Sequence, residues 1–278
     1  MNQSYESGGT QLSFCDTGAG TPVVFLHPTP LDYDFWRPLI AELSGIRAIV
    51  PDLRGHGASQ LGSGLPAGGF TLVPDAPVLT MAQLAADVLA LLDHLNVPHA
   101  VFAGCSIGGN VVLELWRQAS QRMSGLAFIC AKPQPDAAAN LPRRAATIAQ
   151  ARAGASAAVF DGMAQSLIGV TARRIHPEIV AELRARMTIA PQALVAVQAG
   201  LATRPDSVPT VATIGVPVLA IAGGEDPTAS TADVEAFRGA PGGCEFHTIA
   251  DAGHFAAYEQ PRAVADIVAP WLRQFANR

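Results

Sequence analysis

The chain has 278 residues, is 49% hydrophobic, and carries a net charge of −5 with 15% charged residues. That length and apolar content suit one large α/β domain or two smaller ones. No basic stripe points to a nucleic-acid partner, and no block of like charge forms an interaction tail.

The opening stretch MNQSYESGGT lacks the basic and apolar regions of a secretory signal, and the chain has no apolar run long enough for a transmembrane helix. Its four cysteines, Cys15, Cys105, Cys130 and Cys244, include no C-x-x-C pair and are too sparse for a disulfide scaffold. These features lead to the expectation of a cytoplasmic protein with reduced, mostly buried thiols and no membrane partner. Lys132 is the only lysine, a bias that reads as genome composition.

In chain order, the alternating run QLSFCD reads as a strand followed by the turn TGAGTP. PVVFLH and IRAIVPD read as buried strands, and residues 60–77 as a long loop rich in Gly and Pro. Thr80 can cap a helix, with Gln83 placed for a capping box and Met81, Leu84, Val88, Leu91, Leu92 and Leu95 on one face. HAVFAG and LAFICA read as two further buried strands. From Pro133 to about Pro209 no strand pattern appears; the stretch is rich in Ala, Arg and Gln and reads as several helices. PVLAIAGG and CEFHTIADAG complete the strands, and a last helix follows Pro261, with Pro270 expected to kink it. Strands alternating with helices imply a mostly parallel sheet covered on both faces. We therefore expect a core of residues 1–132 and 208–278, interrupted by a helical cap over residues 133–207.

Gly104-Cys105-Ser106-Ile107-Gly108 is a G-x-S-x-G sequence between a predicted strand and a predicted helix. Such a sharp strand-to-helix turn lifts a serine hydroxyl clear of the backbone. Serine needs a base, and His254 lies in a glycine-containing loop just past the last strand; His247, inside that strand, reads as a packed or edge residue. The base needs an acid to fix its tautomer. Asp226, in the loop after PVLAIAGG, is preferred over its neighbour Glu225 because Pro227 ends the turn directly after it, and over Asp251, which is placed to cap its own loop. The oxyanion of an acyl-transfer reaction requires N–H donors. One is expected from Ile107. The other is expected from Thr29, which in Pro28-Thr29-Pro30 is the only residue able to donate a backbone N–H. Its hydroxyl is a further candidate donor.

The stretches FLHPTP, PDLRGHGAS, GCSIGG, AGGEDP and AGHFAAYEQP together resemble the α/β-hydrolases over nearly the whole chain. The resemblance implies a Ser-His-acid hydrolase with a core sheet and a variable cap. Many members have His-Gly-x in the first motif, where Pro28 here replaces the glycine. Asp52, Arg54 and His56 are expected to be structural, near the turn that carries the serine. Cys105 and Cys130 are expected near the site as small buried hydrophobes. No phosphate-binding loop or zinc motif is present, so no cofactor or metal is expected.

The resulting expectation is a serine hydrolase of carboxylic esters with small to medium, largely apolar acyl or alcohol groups. Its nucleophile would be Ser106, its base His254 and its acid Asp226. Lactonase chemistry, on enol-lactones or acyl-homoserine lactones, uses the same residues and remains open. A perhydrolase, a C–C hydrolase and a non-catalytic ligand receptor on the same fold are more remote readings.

Overall fold

Short apolar runs bounded by Gly or Pro become the strands of one sheet in the computed structural model, which describes residues 3–276. They are β1 (Gln3–Ser7), β2 (Thr10–Gly18), β3 (Thr21–Leu26), β4 (Ile46–Pro51), β5 (Ala100–Cys105), β6 (Met123–Ile129), β7 (Val218–Gly223) and β8 (Cys244–Ile249). The first of these, with its alternating exposed and buried residues, is not among the strands expected from the apolar runs.

The spatial order is β1-β2-β4-β3-β5-β6-β7-β8. The two pairings made by β2 are antiparallel and all others are parallel. β5 and β7 are buried at every residue, as strands covered on both faces must be. The helices Met81–His94 and Ile107–Ala119 pack on each other, and Arg37–Ala41 packs on Pro261–Leu272. The last of these continues through Pro270 and tightens into a 3-10 turn at Arg273–Phe275.

β3 and β5 are neighbours, with Leu26 opposite Gly104. The strand order turns back at this point, which opens a crevice at the carboxyl ends of the strands. The loops leaving β3 and β5 therefore meet, although 80 residues separate them.

Thr80 accepts the Gln83 N–H at 3.1 Å, but the Gln83 side chain turns to Asp87 at 3.1 Å, so only half of the expected capping box forms. Asp87 is otherwise committed to Arg54, whose guanidinium spans both carboxylate oxygens at 2.6 and 2.8 Å and donates to the Ser7 carbonyl at 3.0 Å. Arg54 thus ties β1 to the helix Met81–His94 and does not face the serine turn. Asp52 accepts the Tyr33 and Ala58 N–H groups, each at 2.9 Å.

Between β6 and β7 the described chain is helical: Leu141–Arg152, Ser156–Leu167, Val170–Ile175, Glu178–Arg186, Pro191–Ala202 and Val208–Val211. Leu141–Arg152 packs along Pro191–Ala202. The second of these helices is seated on the loop before Thr80. The Leu79 N–H donates to the Ala196 carbonyl at 3.0 Å, and a Cβ at Gly200 would overlap the Leu79 carbonyl oxygen. At the ends of the segment the Ser207 N–H donates to the Pro133 carbonyl at 2.9 Å, so the chain leaves and re-enters the sheet layer at one place.

The Arg54–Asp87 pair is almost fully enclosed, so removing one partner strands a buried charge. Asp87→Ala is expected to lower unfolding free energy by about 3–5 kcal/mol, read from urea denaturation midpoints.

Candidate active site

Ser106 occupies the turn from β5 into the helix Ile107–Ala119 with φ 54° and ψ −118°. A non-glycine residue at positive φ is strained by roughly 1–3 kcal/mol and persists only where its surroundings hold it. Here close backbone approaches hold it. A Cβ at Gly104 would strike the Gly108 backbone, one at Gly108 would strike the Leu26 carbonyl of β3, and one at Gly109 would strike the Ala131 Cβ. The turn raises the hydroxyl toward His254, whose Nε2 lies 2.8 Å from Ser106 Oγ.

On the other side of the ring, His254 Nδ1 lies 2.8 Å from Asp226 Oδ2. A carboxylate only accepts, so Nδ1 carries the proton and Nε2 is left to accept from the serine. Asp226 Oδ1 accepts from the Thr228 N–H at 2.8 Å, the Ala229 N–H at 3.1 Å and the Thr228 hydroxyl at 2.9 Å. Burial alone pushes the Asp226 carboxyl upward, but the charge of His254 and this set of hydrogen bonds hold it below the ordinary value. The Thr228 hydroxyl also lies 2.7 Å from His254 Nδ1, so it bridges Asp226 and His254. The sequence motif AGGEDPTAS contained this threonine without marking it.

The loop bearing His254 is clamped from several directions. The His254 N–H donates to the Leu167 carbonyl at 2.8 Å. Glu259 accepts the Gly253 and Gly169 N–H groups at 2.9 Å and the Phe255 N–H at 3.0 Å. Glu225 turns away from His254 and accepts the Thr171 N–H at 2.8 Å and its hydroxyl at 2.6 Å. Two acids flanking the site thus fasten it to the helical segment. The Cys105 and Cys130 thiols are buried and point at the carbonyls of His254 and Gly253, at 3.6 and 3.4 Å. Burial pushes both thiols well above their ordinary range, which keeps them protonated donors. His247 lies on the edge strand β8, paired with Glu245 at 2.8 Å.

Thr29 faces the same cavity as Ser106. Its N–H has no acceptor among the described residues, and the Ile107 N–H sits at the first helical position, where no intrahelical acceptor exists. The Thr29 hydroxyl is differently placed from the expectation that it faces the oxyanion. It lies 2.9 Å from His56 Nε2, while His56 Nδ1 lies 3.1 Å from the Arg54 carbonyl. Nδ1–H donates to the carbonyl, so Nε2 accepts from the threonine hydroxyl, whose proton is thereby committed. His27 is held in the same tautomer, with Nδ1 3.0 Å from the Pro28 carbonyl and Nε2 accepting the Leu53 N–H at 2.9 Å. Burial pulls His27 down to about 3 and His56 to about 4.

The cavity above Ser106 measures about 560 Å³. Its lining departs from the expectation of a largely apolar substrate. Val159, Met163 and Leu167 are present, but Lys132, Arg143, Arg144, Gln198 and Arg204 line it too. The helical segment turns arginines inward, which its scattered sequence positions did not reveal. No group of three or more His, Cys, Asp or Glu side chains among the described residues is placed to hold a metal ion.

A family model described as the alpha/beta hydrolase fold matches residues 21–261. The chain belongs to this family. Among solved α/β hydrolases, a thermophilic esterase from Thermogutta terrifontis, determined with malate bound, superposes with a TM-score of 0.89 at 30% identity, covering 100% of both chains. A 3-oxoadipate enol-lactonase from Acinetobacter baylyi is 27% identical over 265 residues, 91% of this chain and 89% of that one. A non-heme haloperoxidase from Rhodococcus erythropolis is 34% identical over 131 residues; the match spans 46% of this chain and 43% of the relative's length. No helix among the described residues is long and apolar enough to cross a membrane.

Two predictions follow from the site's hydrogen bonds. Asp226→Asn is expected to lower kcat by about 10³–10⁴-fold by favouring the wrong imidazole tautomer, with circular dichroism unchanged. Between pH 6.5 and about 4, the unfolded chain protonates His56 while the native state does not, so stability falls as pH falls. Asp52, raised by burial to about 6, acts in the opposite direction. His56→Asn removes only the first effect. Its stability should fall less steeply with pH in this window, by up to about 1.4 kcal/mol per pH unit, measured by denaturation at a series of pH values.

Proposed function

We propose that this α/β hydrolase cleaves carboxylic esters through an acyl-enzyme on Ser106. The observation that carries this reading is the unbroken line of hydrogen-bonding groups from Asp226 through His254 to Ser106, opening onto a cavity beside two uncommitted N–H groups. Ser106 Oγ attacks the ester carbonyl as His254 Nε2 takes its proton, and Asp226 stabilises the imidazolium that forms. The Thr29 and Ile107 N–H groups receive the oxyanion. The same imidazolium returns its proton to the departing alcohol. Water, deprotonated by His254, then releases the acid and restores the serine hydroxyl. Residues 133–207 act as a cap that closes the cavity over the strand ends, and the cavity volume suits a small to medium ester.

A lactone is a cyclic ester that the same groups can open. The end-to-end similarity to an enol-lactonase favours keeping this as a second reading. In that case the alcohol stays attached to the acyl-enzyme until water releases a hydroxy acid.

Intact-protein mass after reaction with a fluorophosphonate probe tests the nucleophile. One adduct is expected, absent in Ser106→Ala and slowed by about 10²-fold or more in His254→Ala. A panel of activated esters and lactones, assayed with the same preparation, then ranks the two substrate classes. Absence of an adduct, with the protein folded, would overturn the serine mechanism.

A further inference from the structure

The charges lining the cavity do not balance. Four cationic side chains, Lys132, Arg143, Arg144 and Arg204, face two carboxylates, Asp136 and Asp233. Both carboxylates are already engaged. Asp136 binds Arg144 at 2.8 Å and Arg204 at 2.7 Å, and Asp233 closes its own helix cap on Ser230 at 2.8 Å. Asp226 is turned toward His254. The side chains of Lys132 and Arg143 have no hydrogen-bond or ion-pair partner among the described residues.

Two further side chains of the wall carry donors that are closed off from the cavity. Gln198 is 2% exposed and its Oε1 accepts from Arg144 at 2.8 Å, which leaves its Nε2 without an acceptor. Arg204 is 8% exposed and its Nε has no acceptor either. Both nitrogens are enclosed by protein, so the donors that face open cavity space are the Lys132 and Arg143 side chains.

The position of Lys132 is fixed by its backbone. The Cys130 N–H donates to the Ile221 carbonyl at 2.8 Å, Ala131 packs against Gly109 of the serine-bearing helix, and the Pro133 carbonyl accepts from Ser207 at 2.9 Å. The only lysine of the chain is therefore held at the carboxyl end of β6, half-buried, in the cavity that contains Ser106. Arg143, exposed to solvent, borders the same cavity from the helix Leu141–Arg152, with Thr147 and Gln150 on the same helical face. A protein of net charge −5 thus places unpaired cations along the cavity that holds Ser106, one half-buried and one at its exposed rim.

We propose that Lys132 and Arg143 form a subsite for a carboxylate at the non-reacting end of the substrate, so that the ester or lactone opened at Ser106 is itself an anion. This deepens the proposed function and rests on Ser106 being the nucleophile. The carboxylate neutralises charge that the protein leaves unmatched and fixes which end of the substrate enters first. The two residues bind and orient; they take no part in bond making.

The test compares monomethyl glutarate with the neutral analogue in which a carboxamide replaces the free carboxylate, followed by pH-stat titration. Wild-type kcat/KM is expected to favour the anion by about 10- to 100-fold, the range of one or two hydrogen bonds to a charged group. Lys132→Met and Arg143→Gln should erase most of that ratio through KM, and Lys132→Arg should restore it. Glutarate should also slow fluorophosphonate labelling of Ser106 in wild type at lower concentrations than in Lys132→Met. A wild-type preference for the neutral ester, or equal losses on both esters in Lys132→Met, would overturn the subsite. A stronger preference for the matching phosphonate ester would overturn carboxylate as its ligand. Normal labelling of Ser106 without glutarate protection also overturns the subsite while leaving the nucleophile intact, whereas absent labelling strikes the serine mechanism itself.

Discussion

The strained backbone at Ser106 is the constraint on which the site depends. A positive φ at a residue with a side chain is sustained only because β5 and the following helix are driven together closely enough to leave no alternative. Gly104, Gly108 and Gly109 make that approach possible, since a methyl group at any of them would meet backbone or a packed side chain. The same closeness sets the helix N-terminus behind the serine, with an N–H where negative charge would develop. Strain, donor placement and sheet packing are one arrangement.

A second layer of hydrogen bonds fixes His254 and ties it to the helices above. Glu259 gathers three N–H groups from both sides of the His254 loop and from Gly169. Glu225 does the same to Thr171, and the Cys105 and Cys130 thiols fill the space beneath. His254 is therefore positioned by the sheet below it and by the helical segment over it. The His254 N–H on Leu167 and the Glu259 carboxylate shared with Gly169 are the bonds that join the His254 loop to that segment.

The cavity joins two chemistries. At its floor are a hydroxyl, an imidazole and backbone N–H groups that suit a neutral acyl carbonyl. In its wall are cations with too few carboxylates to neutralise them. The charged part of the wall comes from residues 132–204 and Asp233, and residues 227–230 complete it near the floor. Fold alone does not decide which substrate is used; the side chains lining the cavity do.

Local patterns made much of this legible in the sequence. The strands from β2 onward follow from apolar runs broken by Gly and Pro, and the glycines around Ser106 mark a tight turn between a strand and a helix. His254 and Asp226 stand out because each follows a strand that should end at the same edge of the sheet. β1 escaped notice because its alternation is brief and polar. Thr228 and Glu259 escaped because a bridging hydroxyl and a buried carboxylate have no periodicity to betray them. The placement of Lys132 and Arg143 along one cavity depends on how segments separated in sequence pack, which no local spacing encodes. The Thr29 hydroxyl is committed to His56, 27 residues further on and 2.9 Å away, a pairing that Pro28-Thr29-Pro30 does not disclose. The sequence by itself determined the fold, the strand-to-helix turn at Ser106 and the residue types available near it, because these follow from short-range sterics and hydrophobic period. Tertiary structure alone decided which donors are spent, which remain open and what charge surrounds the substrate, because these depend on groups brought together through space.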